Sequence, residues 1–302
     1  MPDSFPFVLN VVAGTAGLSE NQARAIWSAV KDAAAAAGGI DWLAPNHAFD
    51  IAFAGEPHHL RAALEPAVPG SWLLDLNIVP SEARRKKLLV ADMDSTIIGC
   101  ECVDELADMA GLKDKVAVIT ERAMRGEIDF AEALCERVAL LKGLPLEALA
   151  RVYAERVRLN RGARAAVATM RAHGAHTILV SGGFTYFTAR VAEEAGFHTH
   201  QGNTLLDDGA ALTGAVAKPI LGREAKSEAL EKATAALGLD RTQTLAVGDG
   251  ANDLDMICRA GLGVAYRAKP VVAAAAGAAI AHGDLTTLLY LQGYRADEII
   301  RR

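Results

Sequence analysis

Carboxylates gather at two places in this chain. Asp92-Met-Asp94-Ser-Thr96 sets two acids two residues apart, and Gly248-Asp-Gly-Ala-Asn-Asp253 adds Asp249 and Asp253 beside the amide of Asn252. Carboxylates so close need a cation or a shared proton. With a hard divalent metal such as Mg2+, Asp92 can coordinate through one oxygen and attack with the other. The metal would neutralise the repulsion that keeps a carboxylate away from a phosphate monoester. Asp94, directed away from the metal, suits protonating a leaving oxygen and later deprotonating water. Ser181-Gly182-Gly183 offers a hydroxyl and free N–H groups to an anion at a helix start. Each segment alone also reads as an ordinary turn, with Asp253 capping the next helix. Lys226, in Ala225-Lys-Ser-Glu228, reads by itself as a water-facing lysine on an amphipathic helix.

What joins these segments is their setting. Each follows a run of apolar, largely β-type residues: Lys87–Ala91, His176–Val180 and Thr244–Val247. Each precedes a helix-like stretch. In an open parallel sheet the carboxyl ends of the strands converge on one crevice, so three strand–loop–helix segments predict one site. Further strands are expected at Leu262–Tyr266 and around Ala279, giving a doubly wound parallel sheet covered on both faces. Between Cys100 and about Leu159 no strand is credible. Val103–Met109, Lys113–Arg125, Asp129–Leu141 and Pro145–Tyr153 read as helices separated by Gly111, Gly126 and Gly143. An insert there, at about 100–160, would sit over the carboxyl edge of the sheet as a lid. Leu206-Asp-Asp-Gly209 predicts a hairpin turn.

The first 80 residues form a unit of their own. Phe7–Val12 reads as a strand, Ser19–Ala37 as a helix capped by Ser19, and Ile40–Leu43 with Ala48–Phe53 as a hairpin. His58–Leu64 reads as a helix and Trp72–Val79 as a closing strand, an order βαββαβ that predicts a ferredoxin-like sandwich. Pro80–Arg85 is a linker, and the run Arg84-Arg-Lys-Lys87 reads as a solvated face rather than a nucleic-acid patch. The predicted boundaries are 1–80 for the α+β unit and 86–302 for the second.

Bulk properties narrow the classes. The chain has 302 residues, 51% hydrophobic and 23% charged, with a formal net charge of -6. That is a globular composition, and no basic face offers itself to nucleic acid. No basic and then apolar leader is evident at the N-terminus, and Val271–Ala281 is too short to span a bilayer, which takes about 20 residues. Cys100, Cys102, Cys135 and Cys258 lack metal-site spacing and read as reduced thiols of a cytoplasmic protein.

On these motifs the chain resembles the haloacid dehalogenase superfamily, and within it the phosphoserine phosphatases. Asp92-Met-Asp94-Ser-Thr96, Ser181, Lys226 and Gly248–Asp253 match the superfamily's four motifs in order. Glu101-Cys-Val-Asp-Glu-Leu106, then Met124, Phe130 and Arg137, match cap positions of the narrower group, and the ending His282–Tyr294 is similar to its bacterial examples. The likeness runs from about residue 88 to 295 and is weak over the N-terminal 80. It implies a Rossmann-like domain with a helical cap, preceded by an ACT-like domain of the kind that often pairs across a dimer. It also implies an aspartyl-phosphate on Asp92, with Asp94 as acid and then base. Mg2+ would be held by Asp92, the Asp94 main-chain carbonyl and Asp249, with Asp253 nearby. Ser181, Gly182 and Lys226 would hold the phosphoryl oxygens, assisted by Asn252. Glu101 would meet the substrate ammonium and Arg137 its carboxylate, while Met124 and Phe130 form an apolar wall. The implied reaction is hydrolysis of O-phospho-L-serine, the last step of serine synthesis. The alternatives are a phosphotransferase to homoserine, a phosphatase for another small monoester, and a serine-sensing module.

Overall fold

The computed structural model describes residues 5–301. The N-terminal unit runs β1 (Phe7–Ala13), α1 (Glu20–Ala33), β2 (Ala36–Ala37), β3 (Asp41–Ala44), β4 (Ala48–Ala54), α2 (Pro57–Ala67) and β5 (Leu74–Pro80). β1 lies between β4 and β5, antiparallel to both, and β2 and β3 both pair with the far side of β4. Alternation along β1 gives the sheet two destinations. Leu9, Val11 and Ala13 share a core with Ile26 of α1 and Leu60 of α2, whereas Val8 and Val12 join the core of the body that follows. Ser19 caps α1 in a reciprocal pair with Gln22, as expected. The helix stops at Ala33 rather than Ala37. Ala35 and Gly38 instead donate their N–H groups to Ala54 and Ala52 of β4 at 2.9 and 2.8 Å, so sheet pairing overrides alanine's helical preference.

The second body begins with β6 (Leu88–Ala91), after which come the helices α3 (Cys102–Met109), α4 (Lys113–Met124), α5 (Phe130–Leu140) and α6 (Leu146–Arg156). Next are α7 (Ala163–Ala172), β7 (His176–Phe184), α8 (Thr185–Ala195), β8 (Thr199–Asn203), β9 (Leu205–Asp207), β10 (Leu212–Val216) and α9 (Glu224–Ala236). The chain ends with β11 (Thr244–Gly248), α10 (Leu254–Arg259), β12 (Leu262–Tyr266), α11 (Pro270–Ala275), β13 (Ala278–Ile280) and α12 (Thr287–Leu291). Six strands pair in the order β13-β12-β11-β6-β7-β8, all parallel. Leu88 and Val90 point toward α9 and α10, and Leu89 and Ala91 toward α7, α8 and α12, so both faces are covered. Chain order reverses at β6, whose neighbours β7 and β11 bring their carboxyl ends beside its own. That is where a crevice forms in such a sheet.

The helices α3–α6 form the expected insert, each within a few residues of its predicted bounds. The predicted hairpin β9–β10 braces it: Leu212 donates its N–H to Leu144 C=O at 2.9 Å and accepts from Gly143 N–H at 2.8 Å. Among the described residues no helix is long and apolar enough to cross a membrane.

In the run Arg84–Lys87, Arg85 and Lys87 are exposed as the solvated reading has it, but Arg84 and Lys86 are not. Arg84 pairs with Asp50 at 2.6 Å, with side chains only 14% and 8% exposed, and also donates to the carbonyls of Tyr290 and Leu291. Lys86 is buried, its ammonium donating to the carbonyls of Ala83 and Thr242 at 2.8 and 2.7 Å. Burial pushes its pKa down to about 8. For Arg84 the reason lies across the seam. The second face of the N-terminal sheet buries Asn10, Asp50, Asp75 and Asn77 against the α/β body, and buried polar groups need partners. Asn77 pairs its amide with both the N–H and the C=O of Ala279 on the β13 edge.

Candidate active site

Asp92 leaves the end of β6 with its N–H bonded to Val247 C=O at 3.0 Å, which fixes the first acidic loop against β11. Lys226 arrives from the first turn of α9 and is buried, not water-facing. Its ammonium lies 2.7 Å from Asp92 Oδ1 and 2.6 Å from Asp253 Oδ1. Burial by itself lowers the affinity of Lys226 for its proton, but Asp92 and Asp253 reverse this and leave its pKa raised. The Asp92 carboxyl is pushed well above its ordinary range by burial and then by the charge of Asp253, against the pull of Lys226.

Asp253 does not cap the helix that follows, since its side chain accepts no N–H of that helix; it closes the preceding loop instead and serves the site as well. Its Oδ2 accepts the N–H groups of Asp249 and Gly250 at 3.1 and 3.0 Å. Gly248 is required by that approach: a Cβ there would lie 2.4 Å from Asp253 Cγ. Asp249 accepts the Thr96 hydroxyl at 2.9 Å, and its pKa is raised by burial and by Asp253. Carboxylate oxygens of Asp92, Asp249 and Asp253 all lie within 4.8 Å of one another. Three acids against one buried lysine leave negative charge over, and an all-oxygen donor set of this kind fits a hard divalent cation.

Asp94 turns to other partners. Its Oδ2 accepts the Ser181 hydroxyl at 2.9 Å and its Oδ1 the Cys102 N–H at 2.9 Å, the latter at the start of the cap. Ser181 Oγ in turn accepts Gly183 N–H at 2.8 Å. Ser95 takes φ 56° and donates its hydroxyl to Glu101 Oε1 at 2.7 Å. Glu101 keeps one side open to solvent, yet the protein around its carboxyl and the charge of Asp94 push its pKa up to about 7.

A cavity of about 170 Å³ lies over these groups, lined by Asp92, Asp94, Ser181, Gly182, Lys226, Asp249 and Asn252 from the sheet and by Glu101, Phe130 and Arg137 from the cap. The Phe130 ring touches the Gly182 backbone so closely that a Cβ at Gly182 would lie 2.7 Å from Phe130 Cζ. Arg137 donates its Nε–H to Ala133 C=O at 3.2 Å, and burial lowers its pKa. Ten predicted residues therefore meet in one cavity, and Asp253 lies just beneath it. Met124 ends α4, and its side chain is outside the described residues.

Other contributors escaped sequence reasoning. Val103, Leu134 and Phe184 add apolar wall. Thr96 stood inside a recognised motif but without a partner assigned. Buried Asn203 ends β8 with no motif around it. It donates its amide to the carbonyls of Gly182 and Leu221 and accepts Leu221 N–H, tying the Ser181 end of β7 to the segment before Lys226.

A model of the haloacid dehalogenase-like hydrolase family matches residues 89–257. A phosphoserine phosphatase of Polaromonas is 49% identical over 68% of this chain and 89% of its own length. Another from Streptomyces coelicolor is 43% identical over 84% of this chain, which spans only 62% of that relative's length. A solved HAD-family hydrolase from Salmonella enterica superposes with a TM-score of 0.81 at 28% identity, covering 94% of this chain and 98% of that one. The chain belongs to the haloacid dehalogenase-like hydrolases, and the curated relatives named here are phosphoserine phosphatases.

Proposed function

We propose that this chain is a Mg2+-dependent phosphoserine phosphatase, hydrolysing O-phospho-L-serine to L-serine and phosphate through an aspartyl-phosphate on Asp92. One observation carries the reading. A single small cavity holds the Asp92–Asp94 pair and Lys226 at its floor, with one acid (Glu101) and one base (Arg137) on its cap side. A zwitterionic phosphomonoester needs all of these at once.

In the first step an oxygen of Asp92 attacks phosphorus as the bond from phosphorus to the serine oxygen breaks. Asp94 acts as the general acid, giving a proton to that leaving oxygen. In the second step Asp94 takes a proton from water, and the resulting hydroxide displaces Asp92 from phosphorus, releasing phosphate. Lys226, the Ser181 hydroxyl and the Gly182 main chain hold the phosphoryl oxygens, with Asn252 beside them. Glu101 meets the ammonium and Arg137 the carboxylate, while Phe130 keeps water out of the first step. Mg2+ held by Asp92, Asp249 and the Asp94 main-chain carbonyl, with Asp253 nearby, would neutralise charge on the phosphoryl group.

In this reading residues 86–302 are the phosphatase domain, with its cap at about 100–160. Residues 1–80 are an ACT-like domain through which two copies would pair. The strand order of that sheet and its two helices on one face support the assignment. A panel of phosphorylated amino acids and sugars, assayed with and without EDTA, tests the function. Phosphoserine should be preferred and EDTA should abolish turnover. Equal use of sugar phosphates would overturn the substrate, and activity untouched by EDTA would overturn the cation.

A further inference from the structure

The helical cap joins the core through two antiparallel stretches of backbone. Outgoing Ile98 bridges to returning Leu159, Gly99 N–H donates to Arg158 C=O at 3.2 Å, and Asn160 N–H donates to Ile97 C=O at 2.8 Å. The Asn160 side chain adds a second clamp on the same neck. Its Nδ2 donates to Thr96 C=O at 2.8 Å and to Ile98 C=O at 3.1 Å. Only the NH2 end of an amide can serve two carbonyls, so the orientation of this side chain is settled by its partners.

Thr96 is fully buried, and its hydroxyl makes the 2.9 Å bond to Asp249 Oδ1. The Asn160 amide is therefore two hydrogen bonds from a carboxylate of the acidic cluster. The returning strand is itself anchored. Arg161 C=O accepts Leu285 N–H at 3.0 Å, and Gly162 packs so tightly on the following loop that a Cβ there would lie 2.4 Å from the Thr286 nitrogen. Asn160 thus stands on fixed ground and reaches across to the loop that carries the chemistry.

We propose that Asn160 is a positioning residue for the cation site, holding the Thr96 main chain so that the Thr96 hydroxyl orients Asp249. The proposal rests on the reading of Asp249 as a cation ligand. Without the amide, the Thr96 and Ile98 carbonyls lose a donor and the turn at residues 93–97 gains room to shift. Partners that orient metal-binding carboxylates typically contribute 10- to 100-fold in metal affinity. Asn160 acts one bond further out, so about a fivefold loss is expected.

The test is calorimetric titration of Mg2+ into the full chain without substrate, well below the melting temperature. Asn160→Ala should raise the Kd for Mg2+ about fivefold. Asn160→Asp, isosteric but lacking the donor, should raise it at least as much, and serves if the alanine variant fails to fold. In a Thr96→Val background, adding Asn160→Ala should change the Kd by less than about twofold, because the route through the hydroxyl is already cut. A folded Asn160 variant with lower melting temperature but unchanged Kd would make the residue merely structural and overturn the proposal. Equal losses with and without Thr96 would overturn its route. If the wild-type chain binds no divalent cation, the cation-site reading fails first and this proposal falls with it.

Discussion

Asp75 and Asp92 are both buried aspartates, and their surroundings could hardly differ more. Asp75, on the seam between the N-terminal sheet and the α/β body, accepts three consecutive backbone N–H groups, from Ala281, His282 and Gly283, at 2.8–3.0 Å. Nearby Asp50 has Arg84 and Asn10 as partners. Asp92 instead shares one ammonium with Asp253 and faces further carboxylates. Where each charge is met, burial joins two bodies. Where charge is left over, the protein keeps an affinity for something it does not itself contain. Satisfied burial is architecture, and unsatisfied burial is a site.

That contrast can be broken experimentally. The largest effect should come from Asp92→Asn. Phosphate release from phosphoserine should fall by about 10⁴-fold or more, while thermal stability stays level or rises because one repelling charge is gone. Residual activity near wild type, or an unfolded variant, would undo the assignment. The mirror experiment is Asp75→Ala, which orphans three N–H groups and should lower stability by roughly 3–5 kcal/mol. Activity per folded molecule should stay within a fewfold. Denaturant titration alongside initial rates reads both, and a folded but inactive variant would show that the seam serves catalysis directly.

Arg137→Ala probes the cap side of the cavity. Losing a charge-assisted bond of about 1.5–3 kcal/mol should reduce kcat/KM for phosphoserine by about 10- to 150-fold. An aryl phosphate without a carboxylate should be spared, and equal losses on both would make Arg137 structural. The smallest effect concerns pH. With the Glu101 pKa raised to about 7, its carboxylate is depleted below neutrality and formed above it. Ammonium recognition should therefore strengthen as pH rises through about 7, by up to tenfold per pH unit on the acid side. A phosphoserine kcat/KM profile that keeps this limb in Glu101→Gln would assign the titration to another group.

Much of the site was readable before any fold was known, and the reason is local. Strands β6, β7 and β11 announce themselves as short apolar runs; the acidic residues directly follow β6 and β11, and the Ser181 hydroxyl lies near the end of β7. The four cap helices were legible from periodicity and from Gly111, Gly126 and Gly143 between them, each with positive φ in the structure. Lys226 was legible only through family resemblance. On its own helix it looks like any surface lysine, and nothing nearby signals that Asp92 and Asp253 close over it. Arg84 and Lys86 misled for the same reason: a basic run after Pro80 reads as solvated until distant partners, Asp50 for Arg84 and the Thr242 carbonyl for Lys86, arrive to bury those two side chains.

Periodicity along a chain tells which side of an element turns inward, because that depends only on residues a few positions apart. It is silent on what the inward side will meet. Asn203 and Asn160 carry no pattern of their own, and their partners Gly182, Leu221, Thr96 and Ile98 lie 18 to 64 positions away. The acids, the order of elements and the presence of a helical insert were thus written locally. The pairing of Lys226, the seam held by Asp50 and Asp75, and the clamp at the neck arose only when distant segments were packed together, since hydrogen bonds and ion pairs are set by distance in space.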